Sequence, residues 1–232
     1  MYVAIQRSVA RTGTSGASNT RLAARNPFSV LEQFGCTMVI RRTHEIYRHD
    51  TPADFCWRIL SGCARKVNMM EDGRRQITEF RWPGDLIGID DSGTYYSDAE
   101  AVTDVTLRRY PRHVIEAHAN SNIGLALWLR MNTVDHLRSA HRQMILLARK
   151  TAVERIASFL LEMSSRSTDA SGRLAELPMN RTDIADHLGL SIETVCRNLV
   201  NLQRAGTVAI QRSGIELLNR ALLLELACEP RL

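Results

Sequence analysis

The sequence predicts an α+β protein: an antiparallel β unit first, then one long helix, then a winged helix-turn-helix. Three observations carry this. Short apolar runs broken by glycine fill the stretch from about 28 to 110, which is the rhythm of strands joined by tight turns. From about 122 to 150 there is no proline and a single glycine, Gly124, while apolar residues recur at helical spacing. Beyond 177, two short helices with capping residues and a glycine between them precede a pair of strand-like runs.

In the β unit the runs CTMVI, DFCWRILSG, ARKVNMM, RQITEFRW and DVTLRRY read as strands, punctuated by Gly35, Gly62, Gly73, Gly84 and Gly88. Asp72 and Gly73 are expected to form a primed hairpin turn, since both tolerate positive φ. Pro83 and Gly84 mark another turn.

In the long helix Leu127, Val134, His141 and Ala148 recur every seven residues, with Leu137 and Met144 as the alternating set and Arg130 as a poor fit. That is the seam of a two-stranded coiled coil, in which each apolar side chain enters a hole on a partner helix. The alternative is a helix packed on its own β unit. His141 reads as a register-setting polar residue rather than a ligand. A further helix is expected from about 151 to 163, its stripe formed by Val153, Ile156, Ala157, Leu160 and Leu161. The run SSRSTDASGR then reads as a polar loop.

The stretch from 180 onward is the most informative. Asn180 can cap a helix with Asp183 in its first turn, close to a capping box, and Ile184 and Leu188 then share a face. Gly189 ends that helix, Leu190 plugs the turn, and Ser191 caps the next, where the helix dipole favours Glu193. In this second helix Val195, Leu199 and Leu202 must face inward, leaving Glu193, Arg197, Val200 and Arg204 outward. Glu193 and Arg197 can pair on the surface. They can also reach base edges, a carboxylate accepting from the cytosine amino group and a guanidinium forking onto guanine. The two roles combine if Glu193 holds Arg197 in its reading rotamer. The runs 207 to 210 and 215 to 217 suggest a hairpin wing with Arg212 at its tip, placed to touch phosphate. A winged helix used for protein contacts is the alternative.

Composition limits the classes. The apolar run ALWLRM is broken by Arg130 and falls far short of the roughly 20 residues of a membrane span. Net charge is +5 over 232 residues, which permits a nucleic-acid partner. Yet 181 to 232 balances six basic residues against six acidic ones, so the case for DNA rests on pattern. No catalytic constellation is present. The five cysteines (Cys36, Cys56, Cys63, Cys196, Cys228) form no CxxC pair, which fits reduced thiols in a cytoplasm. Residues 1 to 27 hold four arginines and no acid. They resemble a transit peptide, although a disordered basic tail or an over-long start is the simpler reading.

The segments LSGCARKVNMMEDGRRQITEFRWPGDLIGI and NRTDIADHLGLSIETVCRNL resemble the Crp/Fnr superfamily of bacterial transcription regulators, nearest its FixK-like branch. The resemblance implies a cyclic-nucleotide-binding-like β-roll over 28–118, a dimerisation helix over 119–150 and a winged helix-turn-helix DNA-binding domain over 151–232. It implies a homodimer in the cytoplasm with double-stranded DNA and RNA polymerase as partners. The site would be a palindrome similar to TTGAT, four bases, then ATCAA, at genes of low-oxygen respiration or nitrogen metabolism. The family's base-reading positions fall on Glu193, Cys196 and Arg197. Ile192 stands where cyclic-AMP receptors carry an arginine, which favours the Fnr-type half-site.

Three departures qualify the resemblance. The oxygen-sensing branch holds an iron-sulfur cluster on closely spaced N-terminal cysteines, whereas none precedes Cys36 here, so no cluster is expected. Where the cyclic-AMP branch grips phosphate with arginine, this chain has Gly84-Asp85 and then Ser97-Asp98 with Glu100. A carboxylate repels phosphate, so no cyclic nucleotide is expected. Haem is left open by His44, His49 and His113, each more simply a surface histidine. The third departure is Cys196: a spacer against a thymine methyl, or a redox sensor whose thiolate Arg197 favours. Two other readings stay open, a haem-based gas sensor and a ligand-binding module with an accessory helix-turn-helix.

Overall fold

The computed structural model describes residues 28–89, 93–166, 173–212 and 214–227. The basic tail 1–27 and Cys228 lie outside them. A 3-10 turn (Ser29–Phe34) leads into β1 (Cys36–Ile40), β2 (Glu45–Tyr47), β3 (Phe55–Ser61), β4 (Ala64–Met69), β5 (Arg75–Arg81), β6 (Leu86–Ile87), β7 (Asp98–Ala101) and β8 (Val105–Pro111). These build two four-stranded antiparallel sheets, ordered β1-β8-β3-β6 and β2-β7-β4-β5. Helices α1 (Arg112–Ser121), α2 (Ile123–Arg149) and α3 (Ala152–Arg166) follow. Then come β9 (Leu174–Glu176), α4 (Arg181–Leu188), α5 (Ile192–Arg204), β10 (Val208–Ile210), β11 (Gly214–Leu217) and α6 (Arg220–Leu226). The α+β class and the order of its parts are those the sequence predicts.

The sequence did not disclose α1, a separate helix over 112–121 that straddles the expected boundary at 118 between β-roll and long helix, or the short strands β2, β6, β7 and β9. Strand β7 shows why: its inward residues are Ala99 and Ala101, fully buried, alternating with half-exposed Asp98 and Glu100. Neither alanine nor acid signals a strand. The Asp72-Gly73 turn also differs from expectation. Only Gly73 has positive φ, at 83°. Met70 and Arg74 close a three-residue loop, with Met70 N–H donating to the Arg74 carbonyl at 2.8 Å. Asp72 instead caps the loop, accepting from Arg74 N at 3.0 Å and Arg74 Nε at 2.7 Å.

Side-chain alternation sends each sheet's residues to two faces, and three cores result. Between the sheets, Trp57, Ile59, Val105 and Leu107 meet Ala64, Ala99 and Ala101. Tyr47 stacks there on Tyr95 at 4.1 Å and on Trp57 at 5.0 Å. On a second face Phe28, Cys56, Leu86 and Tyr110 receive Ile115 of α1 and Leu125 of α2. On the third, Cys63, Val67, Ile77 and Phe80 share one continuous core with Phe159 of α3, Ile184 and Leu188 of α4, and Val195 and Leu199 of α5. The C-terminal helices are therefore seated on the β-roll.

Arg155 fastens the junction. Its guanidinium donates to the carbonyls of Lys150 at 2.9 Å, Leu147 at 3.0 Å and Leu188 at 2.8 Å. These are end-of-helix oxygens of α2 and α4, which lack partners within their own helices.

His187 lies in the same junction. Its Nδ1 is 3.0 Å from the Ile77 carbonyl of β5, and its ring lies 5.2 Å from Phe80 and 5.8 Å from Phe159. Burial pulls its pKa below the usual imidazole value, while the Ile77 carbonyl and the carboxylates of Glu162 and Glu79 oppose the shift. The unfolded chain, titrating near 6.5, then binds the extra proton first. Stability should thus be full above about pH 6.5 and fall as pH drops below it, by at most about 1.4 kcal/mol per pH unit for one proton. Chemical denaturation at pH 7.5 and 5.5 checks this against His187→Gln, which should flatten the slope. Equal slopes would remove His187 from the account.

The cysteines of the roll occupy separate environments. Cys36 pairs in register with Arg109, whereas Cys56 pairs with Tyr110, so the two point to opposite sheet faces. Burial pushes the Cys63 thiol up to about 12, the inert form of a core thiol. Among the described residues no group of three or more His, Cys, Asp or Glu side chains is placed to hold a metal ion. None of their helices is long and apolar enough to cross a membrane.

Candidate nucleic-acid interface

The helix pair is fixed by local caps. Asn180 Oδ1 accepts from Asp183 N–H at 2.8 Å and the Asp183 carboxylate accepts from Asn180 N–H, completing a capping box. Gly189 ends α4 at φ 61° and ψ 44°, a left-handed conformation that glycine adopts without strain. An added Cβ would also press on Leu147 Cδ2 at 3.2 Å. Leu190 packs on the core behind the turn. Ser191 Oγ then accepts from Thr194 N–H at 3.2 Å to start α5.

Helix α5 has two unlike faces. Val195, Leu199 and Leu202 are buried, whereas Ile192, Glu193, Cys196, Arg197, Val200 and Arg204 are exposed. Glu193, Cys196 and Arg197 stand at i, i+3 and i+4, so they form one row along the helix. Of the two roles open to Glu193 and Arg197, surface pairing is not the one formed: no ion pair joins them. Glu193 turns back to the helix start, where its own backbone N–H and then the Ser191 hydroxyl hold its carboxyl below the usual range. The orphan N–H groups of the first turn out-compete a guanidinium in open solvent. Arg197 is left free to reach outward.

Beside α5, β10 and β11 form the wing, with Val208 facing Leu217 and Ile210 facing Ile215. Gln211 N–H donates to the Gly214 carbonyl at 2.9 Å, and Arg212 is exposed at the tip. Ser213 lies outside the described residues. The sequence missed the third strand, β9, which pairs Ala175 with Ile215 and stiffens the wing from behind.

Helix α2 spans 27 residues, about 40 Å at 1.5 Å per residue. Its start is held on the β-roll, where Trp128 meets Phe28 edge-on at 4.8 Å. Along the rest, Leu127, Val134, Leu137 and Met144 are 40 to 60% exposed. His141 and Ala148 are exposed on the same stripe. Met131 at 63% and Ile145 at 53% join them, residues the seven-residue count passed over. Met131 fills the place beside Arg130 where the seam faltered.

Sequence reasoning missed one set of contacts entirely. Arg65 and Arg75 of the β-roll reach Asp183 and Asp186 of α4, while Gln143 Nε2 donates to the His187 carbonyl at 2.7 Å. These partners lie more than a hundred positions apart in the case of Arg65 and Asp183, and no short-range pattern announces them. The other histidines singled out are tied to main chain or to solvent. His44 Nδ1 is 3.1 Å from the Arg42 carbonyl and His49 Nδ1 is 3.0 Å from that of Tyr95. His113 is exposed beside a cavity of about 450 Å³ lined also by Asp54, Arg112 and Glu116.

Comparison with known proteins agrees with this architecture. A Crp-like helix-turn-helix domain model matches residues 154–226, and a cyclic nucleotide-binding domain model matches residues 38–122. The nitrogen fixation regulation protein FixK of Azorhizobium caulinodans is 40% identical over 190 residues, covering 81% of this chain and 77% of that protein. FixK of Rhizobium meliloti is 34% identical over 167 residues, covering 72% of this chain and 75% of that protein. The structure of FixK2 from Bradyrhizobium japonicum superposes with a TM-score of 0.80 at 37% identity, covering 85% of this chain and 99% of that one. With roll, helix-turn-helix and wing in this order, and with relatives that are regulators rather than enzymes, the chain belongs to the Crp/Fnr family of transcription regulators, in its FixK-like branch.

Proposed function

We propose that this protein is a cytoplasmic homodimer that activates transcription by binding a TTGAT/ATCAA-type palindrome, one half-site per protomer. The observation that carries the reading is the open row of Glu193, Cys196 and Arg197 on a helix whose other face is buried. A helix of that kind fits the major groove, with Ile192 beside the row and Arg212 on flanking phosphate. The exposed apolar stripe of α2 supports pairing of two copies, since a contiguous apolar surface of that length is unfavourable in water. The nitrogen-fixation relatives support target genes of nitrogen metabolism or low-oxygen respiration. RNA polymerase is the partner that activation requires.

In this reading the β-roll works without a cyclic nucleotide or an iron-sulfur cluster, and haem stays open. Two contacts support the absence of a cyclic phosphate: Glu100 stands on β7 with its carboxylate bonded to Arg65 at 2.5 Å, and the Asp98 carboxylate accepts from His49 N–H at 2.8 Å. The space between the sheets is filled by the Tyr47, Tyr95 and Trp57 rings. No iron-sulfur cluster is called for, because Cys36 and Cys56 face apart and Cys63 lies in a third core.

Cys196 gives the interface a chemical sensitivity. Peroxide transfers an oxygen atom to a thiolate, yielding sulfenate and water, and the new charge would stand among phosphates. Fluorescence anisotropy on the palindrome, at fixed salt and without added ligand, should show tight binding by reduced protein. Peroxide should weaken it about 10-fold or more, and Cys196→Ala should resist. Tight binding indifferent to peroxide would make Cys196 a spacer. No binding by reduced protein would overturn the ligand-free DNA reading itself.

A further inference from the structure

We infer that Arg65 and Arg75 of the β-roll are positioning residues for DNA reading: by gripping Asp183 and Asp186 of α4 they set the angle at which α5 meets its half-site. This rests on the DNA-binding reading above.

The contact is a partly buried network of charges joining two units, with Arg65 and Asp183 at its inner end. Arg65 Nη1 donates to Asp183 Oδ1 at 2.6 Å, while its Nε and Nη2 hold Glu100 at 2.8 and 2.5 Å. Arg75 Nη2 donates to the same Asp183 oxygen at 2.8 Å, and its Nε to Asp186 Oδ2 at 2.8 Å. Side-chain exposure is 10% for Arg65, 3% for Asp183 and 24% for Arg75. Charges so withdrawn from water are tolerated only when paired in good geometry, so this arrangement selects one docking of α4 on the roll over its neighbours. Gln76 and His187 extend it, the Gln76 amide donating to the His187 carbonyl at 3.3 Å.

The same carboxylate reaches the DNA-reading helix through rigid steps. Asp183 closes the capping box of α4, and α4 is joined to α5 by the fixed Gly189 turn. A tilt of α4 is therefore delivered to α5 whole. A dimer on a palindrome needs both reading helices one helical turn apart and in register, and a small error of angle at each would spoil base contacts while leaving phosphate contacts intact. In the arrangement seen, Glu193, Cys196 and Arg197 remain exposed, so the network holds the reading face open rather than covering it.

The test uses the full chain with Arg75→Gln, Asp186→Asn and the charge swap Arg75→Glu with Asp186→Arg. Each is titrated by anisotropy against the palindrome and a scrambled duplex at several salt concentrations, with circular dichroism to certify the fold. Each single variant should bind the palindrome about 10-fold more weakly, with scrambled-duplex affinity and salt slope unchanged, and the swap should recover most of the loss. Asp186→Asn is decisive, because removing a negative charge would by electrostatics alone strengthen DNA binding. Arg65→Lys, which keeps charge but loses the fork, supplies a milder variant should a glutamine variant unfold, and should lose about 5-fold. Folded variants that read the palindrome as tightly as wild type would overturn the proposal and leave only a structural role. Wild type that fails to prefer the palindrome would overturn the DNA reading, and the proposal with it.

Discussion

Leu137→Asp is expected to leave the protein folded but monomeric, and to weaken its binding to the palindrome by at least about 100-fold. Leu137 is 57% exposed on a helix that makes no use of it within the protomer, so the substitution costs the single chain little. In a paired seam the carboxylate would be withdrawn from water opposite its own symmetry copy, a loss of several kcal/mol per charge. Two linked half-site contacts then become one, and the effective-concentration advantage of about 100- to 10,000-fold disappears. Sedimentation with and without the substitution reads the mass, and anisotropy reads the binding. A dimeric Leu137→Asp protein would place the interface elsewhere.

Arg197→Ala is expected to lower affinity for the palindrome by about 1 to 3 kcal/mol, roughly 5- to 150-fold, and to relax the preference at one base pair of each half-site. The structure sharpens this. Because Glu193 is bonded to its own helix start and not to Arg197, the two should act independently, and their effects should add. A double-mutant cycle with Glu193→Ala on the intact site measures the coupling. Strong coupling would restore the expectation that Glu193 steers Arg197. An Arg197→Ala protein with a reduced salt slope and unaltered base preference would make Arg197 a phosphate contact instead.

What was legible in the sequence was local. Asn180, Asp183, Gly189 and Ser191 fix the helix-turn-helix through bonds spanning three or four residues, and the structure places each cap as those residues dictate. Strands with bulky inward residues, such as β3 with Trp57 and Ile59, announced themselves. Strand β7 did not, since alanine carries its inward face. At Glu193 the sequence left surface pairing and base reading both open, because the pull of the unsatisfied N–H groups beside it on the carboxylate shows only once the helix start is built. The docking of α4 on the roll was illegible for a different reason. Arg65 and Asp183 meet only after the whole chain has folded, and each alone looks like an ordinary charged residue. Arg130 and Met131 lie between: a strict count of seven chose the wrong neighbour, and only the drawn-out stripe of exposure corrects it.

In the proposed assembly two copies, paired along α2, each read one half-site with α5. Anisotropy titrations at one salt concentration on three duplexes decide it: the full palindrome, a duplex with one half-site scrambled, and a fully scrambled control. The full site should bind about 100-fold or more tightly than the single half-site, and about 1,000-fold or more tightly than the control. Equal affinity for all three would rule out paired half-site reading.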